Sequence, residues 1–220
     1  MDRAERKPAG MTCRFLFFAL FLVLVPRPGV AASATTLDEV LAELQRLAST
    51  VQTLDSDFHQ EKYLSVFKDM LPADGRFYYR RPDCLRWELT SPMSTGFVLK
   101  GERGRRWRDG GGKDESFDIA RHPVMGIVAR QLLAWTQADF DRLRRDFEIG
   151  LIDRTPVVLR LIPKKGLADG FLDHLVIAFA PGGRHVHRVE VHEQGGDFTR
   201  ITFHTTRVNE PLSDNLFDPS

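Results

Sequence analysis

Residues 75–89 constrain the fold more than any other stretch of this chain. They read Gly-Arg-Phe-Tyr-Tyr-Arg-Arg-Pro-Asp-Cys-Leu-Arg-Trp-Glu-Leu. A strand places successive side chains on opposite faces. Phe77, Tyr79 and Arg81 therefore share one face, and Arg76, Tyr78 and Arg80 share the other. After a turn at Pro82 and Asp83 the alternation resumes, with Leu85, Trp87 and Leu89 on one side and Cys84, Arg86 and Glu88 opposite. This pattern predicts a hairpin with one wet face and one aromatic, apolar face. A guanidinium at the rim of an apolar face is costly without a partner, which singles out Arg81.

The same alternation recurs on both sides of this hairpin. It predicts strands over 54–66, 75–81, 84–89, 96–100, 105–108, 113–119, 147–152, 157–162, 175–180, 185–192 and 198–207, with a loop over 164–173. Gly110, Gly111 and Gly112 mark the tightest turn. Before the strands, Thr36 and Glu39 have capping-box spacing, and Leu37, Val40, Leu41, Leu44, Leu47 and Val51 form a helical stripe. Between the two runs of strands, Pro123 suits a first helical turn. Val124, Ile127, Val128, Leu132 and Trp135 then share a face, and Thr136 is placed to cap a short second helix carrying Phe140 and Leu143. About eleven antiparallel strands with inserted helices predict a barrel or a strongly curled sheet. The helices would cover its apolar face: Phe77, Tyr79, Leu85, Trp87, Leu89, Phe97 and Leu99 below, and Met125, Ile127, Val128 and Leu132 above. Such an arrangement makes a lidded hydrophobic cavity. A solid sandwich core would show the same periodicity.

The first 32 residues read as a signal peptide, leaving a single domain over 33–220. Arg3, Arg6, Lys7 and Arg14 precede an apolar run of eleven residues, Phe15 to Val25. That run is short for a membrane span, which takes ~20 residues, and suits a signal core. Small residues permit cleavage after Ala32 or Ala34, and Met11 offers an alternative start. Cleavage after Ala32 removes five basic and two acidic side chains, turning a formal charge of +1 into −2. Export to an oxidising compartment would leave Cys84 alone, since Cys13 departs with the signal, so no internal disulfide is expected. Cys13 also precedes the apolar run, which is the wrong place for a lipid-modified anchor.

Little in the chain points to catalysis. There is no Gly-x-Ser-x-Gly elbow and no phosphate-binding loop. His185 and His187 lie two apart and would share a strand face as a metal pair does, but no further ligand stands at close spacing, so no metal and no cofactor are expected. Arg103, Arg105, Arg106 and Arg108 surround Trp107. On an exported, slightly acidic protein this reads as a charged edge hairpin or a patch for an acidic partner, not as a nucleic-acid surface.

Several segments in order resemble the periplasmic outer-membrane lipoprotein carrier family, LolA. Phe58-His-Gln60-Glu-Lys62 is similar to its first-strand motif. Gly75-x-Phe-x-x-x-Arg81-Pro82-Asp83-x-Leu85-x-Trp87 is similar to its central signature, closed by Thr90-Ser91-Pro92, and Pro123-Val-Met125-x-Ile127 is similar to the start of its lid helix. The resemblance implies an unclosed eleven-stranded barrel under helices and a monomeric carrier without enzymatic activity. It also implies acylated lipoproteins as cargo, an ABC-type exporter in the inner membrane as donor and an outer-membrane receptor as acceptor. The arginine before the signature proline hydrogen-bonds lid backbone in that family, a role that falls on Arg81. Leu85 replaces a cavity-lining residue that is often aromatic. Two other readings fit the same residues: a periplasmic carrier for a glycolipid or other amphiphile, and a lipid hydrolase using the C-terminal histidines.

Overall fold

The structure, a computed structural model, describes residues 36–67, 69–108, 114–165 and 171–219. The expected signal peptide and the glycine run at 110–112 lie outside the described residues. The N-terminal helix α1 spans Leu37–Ser49. It starts where the capping box predicts: the Thr36 hydroxyl accepts from the Glu39 amide, and the Glu39 carboxylate accepts from the Thr36 amide.

Six strands follow, β1 Thr53–Leu64, β2 Asp69–Arg80, β3 Cys84–Ser91, β4 Thr95–Lys100, β5 Arg103–Arg108 and β6 Glu115–Asp118. Two helices, α2 Pro123–Gln137 and α3 Phe140–Asp146, lead to β7 Phe147–Arg154, β8 Val157–Pro163, β9 Leu172–Phe179, β10 Val186–Glu193 and β11 Phe198–Val208. All eleven strands form one antiparallel sheet in the order β6-β5-β4-β3-β2-β1-β11-β10-β9-β8-β7. Strands β6 and β7 are its two unpaired edges. The barrel is therefore unclosed, as expected, and α2 and α3 are the connection that crosses from one edge to the other.

The helices divide the apolar interior in two. Helices α1 and α3 pack on β8 and β9, where Val40, Leu41, Leu44 and Ala48 meet Leu143, Leu159, Leu161, Leu175 and Ile177. Helix α2 lies over β1 to β4, where Ala129 and Leu132 meet Phe58, Phe77, Leu85 and Leu99. Gly75 makes the second cluster possible. A Cβ there would come within 2.3 Å of the Phe58 ring. With glycine, that ring lies across β2 and reaches Trp87 at 4.2 Å between centroids.

Four local expectations are corrected. Strand β2 begins at Asp69, well before Gly75, because pairing with β1 continues to Leu64↔Asp69. Pro72 is tolerated there because β3 pairs only from Asp74 onward, so that part of β2 has a free side. The outer face of the signature hairpin is not uniformly wet. A 3-10 turn at Asp214–Phe217 covers it, burying Tyr78, Cys84, Val98 and Phe217 together. Thr136 caps nothing, since its hydroxyl donates to the Leu132 carbonyl at 2.7 Å, and Asp139 is the cap of α3. Finally, a bulge between Val186 and Arg188 takes His187 out of the alternation. His187 is exposed while His185 lies against the interior, so the two do not form a pair on one face.

Candidate functional site

Arg81 stands one residue beyond β2, at a corner where three elements meet. Its Nε donates to the Val51 carbonyl at 3.0 Å and its Nη2 to the Ala48 carbonyl at 3.1 Å. Both acceptors lie at or just past the end of α1, where the helix dipole favours a cation. The corner also receives α2, whose Gln137 Nε2 donates to the Pro82 carbonyl at 2.6 Å. Arg81 thus bonds the backbone of α1, and the tie from α2 runs through Gln137 to the neighbouring residue. Beside Arg81, burial pushes the Tyr79 phenol up from its ordinary value, with the guanidinium pulling the other way.

The remaining apolar residues singled out by sequence fall into four places. Tyr79, Leu85 and Leu99 are 0 % exposed and form sealed core. Phe77 and Trp87 border a narrow void of about 30 Å³ between α2 and the sheet, together with Leu132, Trp135, Val189, Ile201 and Phe203. That volume holds about one water molecule. Its floor has a polar corner, where the Ser56 hydroxyl bonds Thr206 Oγ1 at 2.7 Å and His185 stands nearby. Burial lowers the pKa of His185 from its ordinary value, partly offset by the bond between its Nδ1 and the Val186 carbonyl, and the nearby His187 and Arg184 push it further down.

Trp87, Phe97, Ile127, Val128 and Leu132 belong to the third place, an apolar cleft of about 380 Å³. It runs along α2 from Ile127 to Trp135, between that helix and residues of β7, β9, β10 and β11, with Trp87 of β3 and Phe97 of β4 also on its wall. Ile127 and Val128 are 47 % and 39 % exposed because they face this open space and not the sheet. Leu89 and Met125 lie elsewhere, in a more polar groove with Arg106, Arg108 and Glu115. Around Trp107, Arg105 pairs with Asp114, Arg106 pairs with Glu115 and Arg86 stacks on the indole at 4.7 Å.

More than half of the cleft wall was not assigned from sequence. Phe147, Phe171, Leu172, Leu175, Val191 and Ile201 supply it, and Trp135 and Gln131 complete the α2 side. The alternation of Leu175 with Ile177 and of Val189 with Val191 carried a signal of the right kind. What it lacked was any mark of which apolar strand face would stay uncovered. Among the described residues, no helix is long and apolar enough to cross a membrane, and no group of three or more His, Cys, Asp or Glu side chains is arranged to hold a metal ion.

Comparison with known proteins gives one consistent result. The family model described as outer membrane lipoprotein carrier protein LolA matches residues 49–220. The outer-membrane lipoprotein carrier protein of Francisella tularensis subsp. tularensis (strain WY96-3418) is 21 % identical over 186 residues, covering 82 % of this chain and 83 % of its own. That of Pseudoalteromonas translucida (strain TAC 125) is 21 % identical over 199 residues, covering 89 % and 86 %. Among solved structures, an uncharacterized conserved protein from Thermus thermophilus superposes with a TM-score of 0.51 at 10 % identity, over 81 % of this chain and 91 % of that one.

Proposed function

The chain belongs to the outer membrane lipoprotein carrier family LolA, and from that premise we propose that it carries lipoproteins across the periplasm by shielding their acyl chains, without covalent chemistry. The observation that carries this reading is the apolar cleft of about 380 Å³ beside α2. Each methylene taken from water is worth about 0.8 kcal/mol, so an acylated protein does not leave a bilayer unescorted. The same figure makes release a problem, because a cavity that fits too well keeps its cargo.

The closed arrangement offers a solution. The void under α2 is too small for an alkyl chain, so deep binding requires α2 to lift. Its C-terminal end is moored at the corner of Arg81 and Pro82, while Ile127 and Val128 near its start face open space. Helix α2 would then swing about its C-terminal end. Arg81, through its bonds to Ala48 and Val51, fixes the corner on which α2 would pivot and so sets the position to which the helix returns when cargo leaves. The donor would be an ABC-type exporter of the inner membrane and the acceptor a receptor at the outer membrane.

The test is release of lipoproteins from inner-membrane spheroplasts. Purified mature protein should bring them into the supernatant as a soluble complex. If the supernatant stays free of lipoprotein while native mass spectrometry finds another amphiphile bound, the cargo assignment is wrong.

A further inference from the structure

The β1–β2 hairpin ends in an apolar tip that the cleft does not use. Its two strands of twelve residues pair out to Leu64↔Asp69, and the turn is closed by the Phe67 amide donating to the Leu64 carbonyl at 3.1 Å. Val66 is 84 % exposed and Phe67 68 %, with Leu71 and Met70 exposed just behind them. This tip is held, not frayed. The Ser65 amide and hydroxyl both donate to Asp197 Oδ1, at 2.8 and 2.7 Å, and the hydroxyl also reaches the Gly195 carbonyl at 3.3 Å. Beneath it Tyr63 stacks on Phe198 with centroids 5.3 Å apart. Large apolar side chains fixed in an exposed position call for a partner.

The position of the tip indicates which partner. Gly195 and Asp197 belong to the turn between β10 and β11. On its other side this turn bonds Phe171, whose carbonyl accepts from the Gln194 amide at 2.9 Å. Phe171 lines the acyl cleft and is itself 59 % exposed. One short turn therefore joins the apolar tip to the mouth of the cleft, and both open on the same rim.

We propose that this rim docks on a lipid bilayer: Val66 and Phe67 enter the membrane surface and set the mouth of the cleft at Phe171 against it. The inference rests on the carrier reading and adds the surface on which cargo is taken up or given back. Shape favours a bilayer over a protein. The tip is convex, with two bulky side chains adjacent on a turn, and a bilayer receives such a wedge without a matching pocket. The aromatic pair just below suits the depth of the headgroups. In the sequence Glu61, Lys62, Lys68 and Asp69 flank the tip, two of each sign. Insertion is thus driven by apolar area and is indifferent to salt.

Flotation of the mature protein with vesicles of phosphatidylethanolamine and phosphatidylglycerol tests this. The wild-type protein should float with the vesicles equally at about 0.05 and 0.5 M salt. The Val66→Asp, Phe67→Asp double variant should bind about tenfold less, while keeping its affinity for a fluorescent fatty-acid probe. Phe67→Trp alone should show a blue-shifted emission on vesicles, quenched by brominated lipid. The proposal is overturned if wild-type protein stays off the vesicles, if it floats only when they carry a protein receptor, or if the double variant binds as well as wild type. Failure of the carrier reading would show separately, as loss of fatty-acid binding by the wild-type protein itself.

Discussion

Two apolar surfaces meet α2, built from the same alternating strands, and only one of them is closed. Toward β1 to β4, the side chains of Leu85, Leu99 and Tyr79 are sealed at 0 % exposure under Ala129 and Leu132. Toward β7 and β9 to β11, equally apolar residues such as Phe171, Leu172 and Val191 border open space with Ile127 and Val128, and Trp87 and Phe97 stand where the two surfaces meet. The chemistry of the two surfaces is alike, and what differs is the cover. Helices α1 and α3 fill the β8–β9 region at one end and stop short of the cleft. The lesson is that the open apolar area of this fold is what its helices leave bare.

Substitutions that ought to act on one surface and spare the other would break or sharpen this contrast. The largest effect is expected on the sealed side. Leu85→Ala should cost about 3 kcal/mol of stability, read as a lower urea midpoint, with fatty-acid affinity of the folded protein unchanged. A loss of affinity at unchanged stability would show that the sealed half is part of the cavity.

At the corner between the surfaces, Arg81→Leu strips the Ala48 and Val51 carbonyls of a charged donor, at about 2 kcal/mol. The variant should still bind acyl chains but hand them to an acceptor slowly. Delivery at the normal rate would refute the role given to Arg81. On the open side, Ile127→Asp with Val128→Asp should weaken fatty-acid binding about tenfold, ~1.4 kcal/mol. Its unfolding free energy, measured by urea titration, should change by no more than about 0.5 kcal/mol. If these changes instead unfold the protein, the cleft is core.

The smallest effect concerns His185 at the polar corner of the narrow void. Its folded-state pKa is depressed by burial. The unfolded chain therefore binds a proton more readily than the folded one once the pH drops below about 6.5. Stability is whole above that value and declines as the pH falls from it toward the depressed folded value. His185→Leu should flatten that part of a stability profile measured by urea titration at successive pH values. An unchanged slope would mean that the decline has another source.

Much of this was legible because local rules and tertiary packing agree. Thr36 and Glu39 start α1 because their reciprocal bonds depend only on spacing. The Arg81-Pro82-Asp83 turn divides two strands because proline cannot continue the ladder on its amide side. Where pairing overrode propensity, the sequence misled. The stretch after Phe67, rich in Asp and Pro, looks like a loop, yet it is strand because β1 extends alongside it. At His187 a single extra residue takes the chain out of register, and no pattern of residue types announces such a bulge.

By itself the sequence determined the number of strands, the side most residues take within their strands, the starts of α1 and α2 and the place of Arg81 at a turn. Each of these follows from periodicity or capping within a few residues. Only the tertiary structure decided that Tyr78 and Cys84 lie under the C-terminal turn, that Arg81 holds the end of α1, and that one apolar face is sealed while its neighbour stays open. A period of two records which way a side chain points, whereas cover depends on segments far away in the chain that arrive only when the molecule is folded.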